Sequence, residues 1–161
     1  MKRKLLSGVA AVLCLLGVGS VSAQVAKEGK YDNQGCYIGP HYVIAHSKDQ
    51  MAGSYAAYGV NLGSPGQLFH NASGACYGSW TLINGELNDS GACEVTDPDG
   101  DKFLGLYSRK NQENGSWRVI SGTGKYNGMV NTGYFIPLTQ APQPAGQVAV
   151  CNRQVGSWKL R

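Results

Sequence analysis

The dipeptide Asn84-Gly85 sits between two runs rich in β-formers and is the strongest kind of short hairpin signal. Both residues accept φ > 0, as a two-residue type I′ hairpin turn requires. With that turn, facing positions follow by counting: Ile83 meets Glu86, and Cys76 meets Cys93. The cysteines then occupy a non-hydrogen-bonded pair, where Cα atoms stand ~4.5 Å apart, within reach of a disulfide. Ser90-Gly91 is the place where a bulge would disturb this register.

Cys36 and Cys151 are left to pair with each other. They lie on the first and last predicted strands, so their bond would bring those strands side by side and close the sheet into a barrel. Four cysteines in an exported domain read as two disulfides. A zinc site is disfavoured, because no two of them have C-x-x-C spacing and no histidine is close to a pair.

The fifth cysteine, Cys14, belongs to an N-terminal segment with the marks of a removable signal peptide, 1–23. Lys2, Arg3 and Lys4 precede an apolar run from Leu5 to about Val18, and Val21-Ser22-Ala23 offers small residues at a cleavage site. The run is too short to cross a hydrocarbon layer of ~30 Å. Leu13 before Cys14 argues against lipid attachment there. Export to the periplasm or beyond is therefore expected, with no membrane span after cleavage. Loss of the three basic residues leaves acids and bases nearly balanced. That excludes the basic footprint of a nucleic-acid binder and a polybasic membrane patch.

The rest of the chain alternates Val, Ile, Tyr, Trp and Thr runs with Gly, Asn, Asp and Pro punctuation, and carries 23 glycines. This is the pattern of short strands at regular spacing. Strands are predicted near 36–46, 51–61, 75–83, 86–96, 102–109, 116–121, 129–138 and 146–160. Residues 24–34 read as a polar leader and 35–161 as one domain, with loops at 63–74 and 139–145. Asp97-Pro98-Asp99-Gly100 fits a type I turn. The expected fold is all-β: a single antiparallel, mostly up-and-down barrel of eight strands, with lipocalin-like or sandwich closure as the alternative.

An ordered set of turn residues carries a family resemblance. Asp97-x-Asp99-Gly100-Asp101 is followed by Gly115-x-Trp117, then Gly122-Thr123-Gly124-Lys125-Tyr126-x-Gly128 and Gly133-Tyr134. Over roughly residues 75–138 this resembles the allene oxide cyclase and dirigent-like β-barrels, including small secreted bacterial members. The resemblance implies an eight-stranded barrel with an internal cavity. Plant members guide cyclisation or coupling of apolar or phenolic substrates, and such barrels often associate, so a homo-oligomer is an expectation. The shared residues are turn and packing residues and bring no catalytic carboxylate with them.

Candidate chemistry is sparse, and no cofactor is expected. Asp97, Asp99 and Asp101 are either oxygen ligands for Ca²⁺ or turn carboxylates accepting backbone N–H groups. Ser108 stands where an EF-hand would close with Glu, and the turn reading is preferred. His41 and His46 are an odd number of residues apart and point to opposite faces of one strand. A histidine in the cavity with Glu86 or Glu94 would be an acid–base pair, though no spacing singles one out. No nucleophile elbow or phosphate loop is present. Aromatic side chains on or beside predicted strands are the better signal: Tyr107, Trp117, Tyr126 and Tyr134 are the expected lining of a pocket for a small hydrophobic or aromatic ligand. The alternatives are a cyclase- or isomerase-like enzyme, and an interaction module with a filled barrel.

Overall fold

The computed structural model describes residues 26–111, 113–138, 143 and 145–161. The expected signal peptide and most of the 139–145 loop lie outside the described residues. Eight strands follow one another: β1 (Glu28–Ser47), β2 (Gln50–Leu62), β3 (Ala72–Ile83), β4 (Glu86–Thr96), β5 (Lys102–Lys110), β6 (Gly115–Gly122), β7 (Met129–Pro137) and β8 (Gln147–Leu160). Each pairs antiparallel with the next, and β1 pairs with β8, so the sheet is a closed up-and-down barrel. No helix among the described residues is long and apolar enough to cross a membrane.

The hairpin register is the one that counting from Asn84-Gly85 gives. Ile83 faces Glu86, Ser79 faces Ser90 and Cys76 faces Cys93, with no bulge at Gly91. Asn84 and Gly85 take φ of 52° and 83°, as the turn requires. Cys76–Cys93 and Cys36–Cys151 are both disulfides, with Cα atoms 4.0 and 4.1 Å apart. They lie on opposite faces of the wall. Cys76 is buried inside the barrel. Cys36 lies between the buried, inward-facing Gly35 and Tyr37, so strand alternation turns it outward.

The segment read as a polar leader is strand from Glu28 onward, paired with β8 from Glu28–Lys159 to Pro40–Gln147. Its alternation is real but polar. Tyr31, Asn33, Gly35 and Tyr37 point in, while Asp32 and Gln34 point out. Asn and Gly at inward positions hide the period-2 pattern from a hydrophobicity reading.

One end of the barrel is filled. Tyr31, Phe69, Phe103, Tyr126 and Met129 pack there with Val95 and Val119, and Trp117, Trp158 and Leu160 lean against them. Phe69 comes from the β2–β3 loop and enters the barrel end, its ring 5.1 Å from Phe103 and 5.9 Å from Tyr126. Burying a ring of this size contributes about 2–3 kcal/mol, and edge-to-face contacts add to it.

The Asp97–Asp101 turn braces the same end. Asp97 Oδ1 accepts hydrogen bonds from the backbone N–H groups of Asp99 (2.9 Å) and Asp101 (3.0 Å). Lys125 Nζ lies 2.7 Å from Asp97 Oδ2 and 2.5 Å from Asp99 Oδ2, while its backbone N–H donates to Asp101 Oδ2 at 3.0 Å. An ammonium group thus occupies the focus of these carboxylates. Gly124, at φ 48°, makes the approach possible, since a Cβ there would stand 1.8 Å from Asp101 Oδ1. The two turn motifs are halves of one clamp between the β4–β5 and β6–β7 connections.

Burial of Asp97 opposes its ionisation, but hydrogen bonds from Lys125 and Tyr126, with the Lys125 charge, outweigh this and hold the carboxyl below its ordinary range. A lowered folded-state pKa stabilises the fold above the unfolded value of ~3.9, and that contribution is lost as pH falls below it. Asp97→Asn should cost about 2–3 kcal/mol at neutral pH, as for loss of a hydrogen-bonded charged group, and flatten the acid limb of the stability curve. Urea melts from pH 7 down to pH 2 test both, and an unchanged acid limb would remove the clamp from the list of stabilising contacts.

Candidate functional site

The opposite end of the barrel is open. The interior there is a cup of about 350 Å³ whose walls include Ala57, the Cys76–Cys93 bridge, Val148, Val150 and Phe135. An eight-stranded barrel is just wide enough to be filled by side chains or to hold one small ligand, and this one does both, one at each end. Phe103 and Trp117, from the filled end, also line the cup. An amide network borders it: Tyr37 OH donates to Asn61 Oδ1 at 2.9 Å, and Gln154 Nε2 donates to the same oxygen at 3.1 Å.

One wall carries a polar cluster. Asp89, on β4 four residues before Cys93, shares the inward face of that strand. Tyr55 OH donates to Asp89 Oδ1 at 2.9 Å and lies 2.6 Å from Tyr107 OH. A phenol has one proton to give. With the Tyr55 proton on Asp89, the Tyr107 hydroxyl is the donor to Tyr55, which sets a directed chain Tyr107 to Tyr55 to Asp89. Arg109 approaches the carboxylate from β5, 3.6 Å away. Gly78 and Gly91 face each other across β3 and β4 and make room for these hydroxyls. A Cβ on Gly78 would stand 2.1 Å from Tyr107 Oη, and one on Gly91 2.3 Å from it.

The cluster is poorly hydrated. Burial raises the Asp89 pKa from its ordinary value, against the opposing hydrogen bond from Tyr55 and the Arg109 charge. Burial, Tyr107 and the Asp89 charge together push the Tyr55 phenol far above the tyrosine range. Burial pushes Tyr107 up to about 12, opposed by its hydrogen bond with Tyr55. Desolvation outweighs the ion pair because 3.6 Å is long for a guanidinium–carboxylate contact. Among the described residues, Arg109 Nε and Asn152 Oδ1 have no hydrogen-bond partner and are enclosed in the wall, although both residues line the cup.

At the mouth, Trp80 Nε1 donates to His41 Nε2 at 2.8 Å. Indole is a donor only, so His41 Nε2 carries no proton in this arrangement. His46 is exposed on β1, and His70 Nδ1 lies 2.6 Å from the Gly63 carbonyl in the β2–β3 loop.

Of the four aromatic residues expected to line a pocket, Tyr107 and Trp117 line the cup. Tyr126 is buried in the filled end, and Tyr134 is exposed on the outer wall. The expected carboxylate partners are elsewhere. Glu86 is exposed beside the hairpin turn, and Glu94 points outward to Lys102 at 2.9 Å. Among the described residues, the acid that lines the cup is Asp89. The hairpin register contained its position, because Asp89 and Cys93 have the same parity on β4. Which face of that hairpin turns inward was the missing fact.

No protein-family model and no curated protein sequence matches this chain. A pterocarpan synthase dirigent protein has a similar structure, with a TM-score of 0.53 and 10% identity over 84% of this chain and 93% of that one. The likeness is one of fold: a dirigent-like barrel.

A raised pKa means that folded Asp89 holds its proton more tightly than the unfolded chain does. Its contribution to stability is full below the ordinary value of ~3.9 and declines as pH rises through the raised folded value. Asp89→Asn cannot ionise, so its stability relative to the parent should increase from pH 4 to pH 7. Parallel denaturant melts across that range read the difference, and a pH-independent difference would mean that Asp89 is not desolvated.

Proposed function

We propose that this protein is exported and holds a small, largely apolar ligand with a flat or aromatic body in the open cup. The carrying observation is the cup itself: about 350 Å³ of mostly apolar space with the Tyr107–Tyr55–Asp89 cluster on one wall. Small-molecule sites have this character, with apolar walls for affinity and a few polar groups for orientation. Tyr107, Tyr55, Asp89 and Arg109 would orient a hydroxyl or carbonyl. The two disulfides support an oxidising compartment, where such bonds form and persist.

Trp80 and Trp117 both line the cup and report on its contents. Titration with a panel of apolar phenols and naphthol-type dyes should quench their fluorescence saturably. Ala57→Phe, which fills the cup from a position 2% exposed, should weaken that binding at least tenfold and leave the two disulfides intact. Absence of saturable binding by any panel member would end the carrier reading.

A second reading, an isomerase- or cyclase-like acid–base catalyst for a hydrophobic substrate, is favoured by the raised proton affinity of Asp89 and by the chain of hydroxyls ending on it. A general acid or base near the operating pH contributes about 10²–10⁴-fold. Solvent deuterium exchange into a bound apolar ketone should fall by about that factor in Asp89→Asn, with ligand affinity retained. Equal exchange in parent and variant would leave the binding function alone.

A further inference from the structure

The mouth of the cup carries two rings that the Tyr107–Tyr55–Asp89 chain does not use. Trp80 reaches from β3 across β2 to β1, where its Nε1–H donates to His41 Nε2 at 2.8 Å. Gly53, its cross-strand neighbour on β2, makes the crossing possible. A Cβ there would stand 2.6 Å from the indole Nε1 and Cε2 atoms, so the indole lies against bare backbone. His41 is held by its own main chain. It pairs with Tyr55 on β2, and its N–H donates to the Gly146 carbonyl at 2.9 Å. The indole is thus parked on the wall against a fixed imidazole, and both rings line the cup.

That hydrogen bond exists in one protonation state only. An indole N–H donates and never accepts, and a protonated imidazole is a donor at both nitrogens. Protonation of His41 therefore sets two donors against each other across 2.8 Å, and the indole loses its partner on the wall. A large apolar ring released at the rim settles on apolar surface rather than in water. The nearest such surface is the interior of the cup, whose volume of about 350 Å³ an indole fills in large part.

We infer that Trp80 and His41 are a pH-operated gate on the cup: neutral His41 parks the indole against β2 and keeps the interior free, and protonated His41 releases it into the interior, where it displaces what the cup holds. The displacement rests on the ligand-holding function proposed above. Imidazole side chains titrate between pH 5 and 8. Among the described residues, the titratable groups facing His41 come from three strands besides its own. Tyr55 on β2 has its ring 6.5 Å away, Asp89 on β4 is the cross-strand neighbour of Trp80, and Tyr107 and Arg109 on β5 line the same cup, as does Tyr37 on β1. From β8 come only Val148 and Val150. His46, Lys48 and Asp49 are exposed toward the β1–β2 turn. Burial pushes all three phenols up, so they keep their protons through this range, and a guanidinium keeps its charge. Asp89, whose proton affinity burial raises, is the neighbour whose titration must be told apart from that of His41.

The first measurement follows the Trp80 indole N–H resonance of the disulfide-bonded protein, free of ligand, from about pH 8 to pH 5. It should shift as the His41 ring resonances titrate, with a shared midpoint. His41→Gln offers the indole an amide oxygen at every pH, so its indole resonance should stay still. The second measurement is affinity for the phenol or dye that binds in the fluorescence titration. Between the same two pH values it should fall about tenfold in the parent and in Asp89→Asn, as when nine molecules in ten hold the indole inside. In His41→Gln it should not depend on pH. Trp80→Phe, which has no N–H to park, should behave the same way and serves if His41→Gln impairs folding. An indole resonance that ignores pH, a His41→Gln protein that titrates like the parent, or a fall in affinity that disappears in Asp89→Asn would each overturn the gate. An indole that titrates with His41 in a protein that binds no panel member would support the gate and end the carrier reading alone.

Discussion

Everything in this molecule depends on β1 meeting β8. Without that contact the chain is an eight-stranded sheet with two long open edges, each a row of unpaired N–H and C=O groups. With it, every strand has two neighbours, and the inward side chains must share a tube of fixed width. The ladder is long, running from Glu28–Lys159 to Pro40–Gln147. Cys36–Cys151 ties it near the middle, joining residues 115 apart in sequence. By chain-entropy arithmetic this bond is worth about 5 kcal/mol, against about 3 kcal/mol for the short Cys76–Cys93 loop. The larger constraint therefore sits on the contact that closes the fold, and the smaller one on a hairpin that its turn already specifies.

Closure raises the question of what fills the tube, and the two ends answer differently. Aromatic rings from β1, β5, β6, the β2–β3 loop and the Tyr126 turn fill one end to exclusion of water. The other end has small residues where rings would be needed: Ala57 and Gly105 face inward and line it. Small residues leave volume, and the volume is the cup. A buried carboxylate in such a place is unfavourable unless it is paired and hydrogen-bonded. Asp89 is only partly compensated, and its proton affinity records the deficit. A barrel selected for stability alone would replace Asp89 and Arg109 with apolar residues, so their presence points to work done in the cup.

Much of the fold was legible because its strongest signals are local. Asn84-Gly85 fixes one register, that register pairs Cys76 with Cys93, and elimination then pairs Cys36 with Cys151 and closes the sheet. The first half of β1 was not legible, because Asn33 and Gly35 occupy inward positions and erase the hydrophobic alternation. The site was less legible still. Parity tells which residues share a face with Asp89, but not whether that face is the inside; the buried Cys76 settles it only once the barrel exists. Tyr126 and Tyr134 mislead for the same reason. Both look like lining residues on or beside strands, yet one belongs to the turn that seals the filled end and the other alternates outward beside the inward Gly133 and Phe135. The Asp97–Asp101 run was readable as a turn, but its partner Lys125, from a motif 24 residues further along, became visible only in three dimensions.

The charge pattern was in the sequence from the start, but it has no meaning until strands are assigned to places around a ring. On a flat list, the uncharged stretch from Gln50 to Gly85 looks like ordinary β-forming sequence. Wrapped into a barrel, it becomes one contiguous side of the wall. The two sides of that wall then answer separate needs. Inward residues of β2, β3 and β4 shape the cup, while outward residues of β1, β2 and β3 leave a face that water covers poorly. Because alternate residues on the same strands serve the two purposes, Ala57 and Tyr58 are adjacent in sequence and independent in effect. A substitution at one alters the cup, and a substitution at the other alters the outer face of the wall.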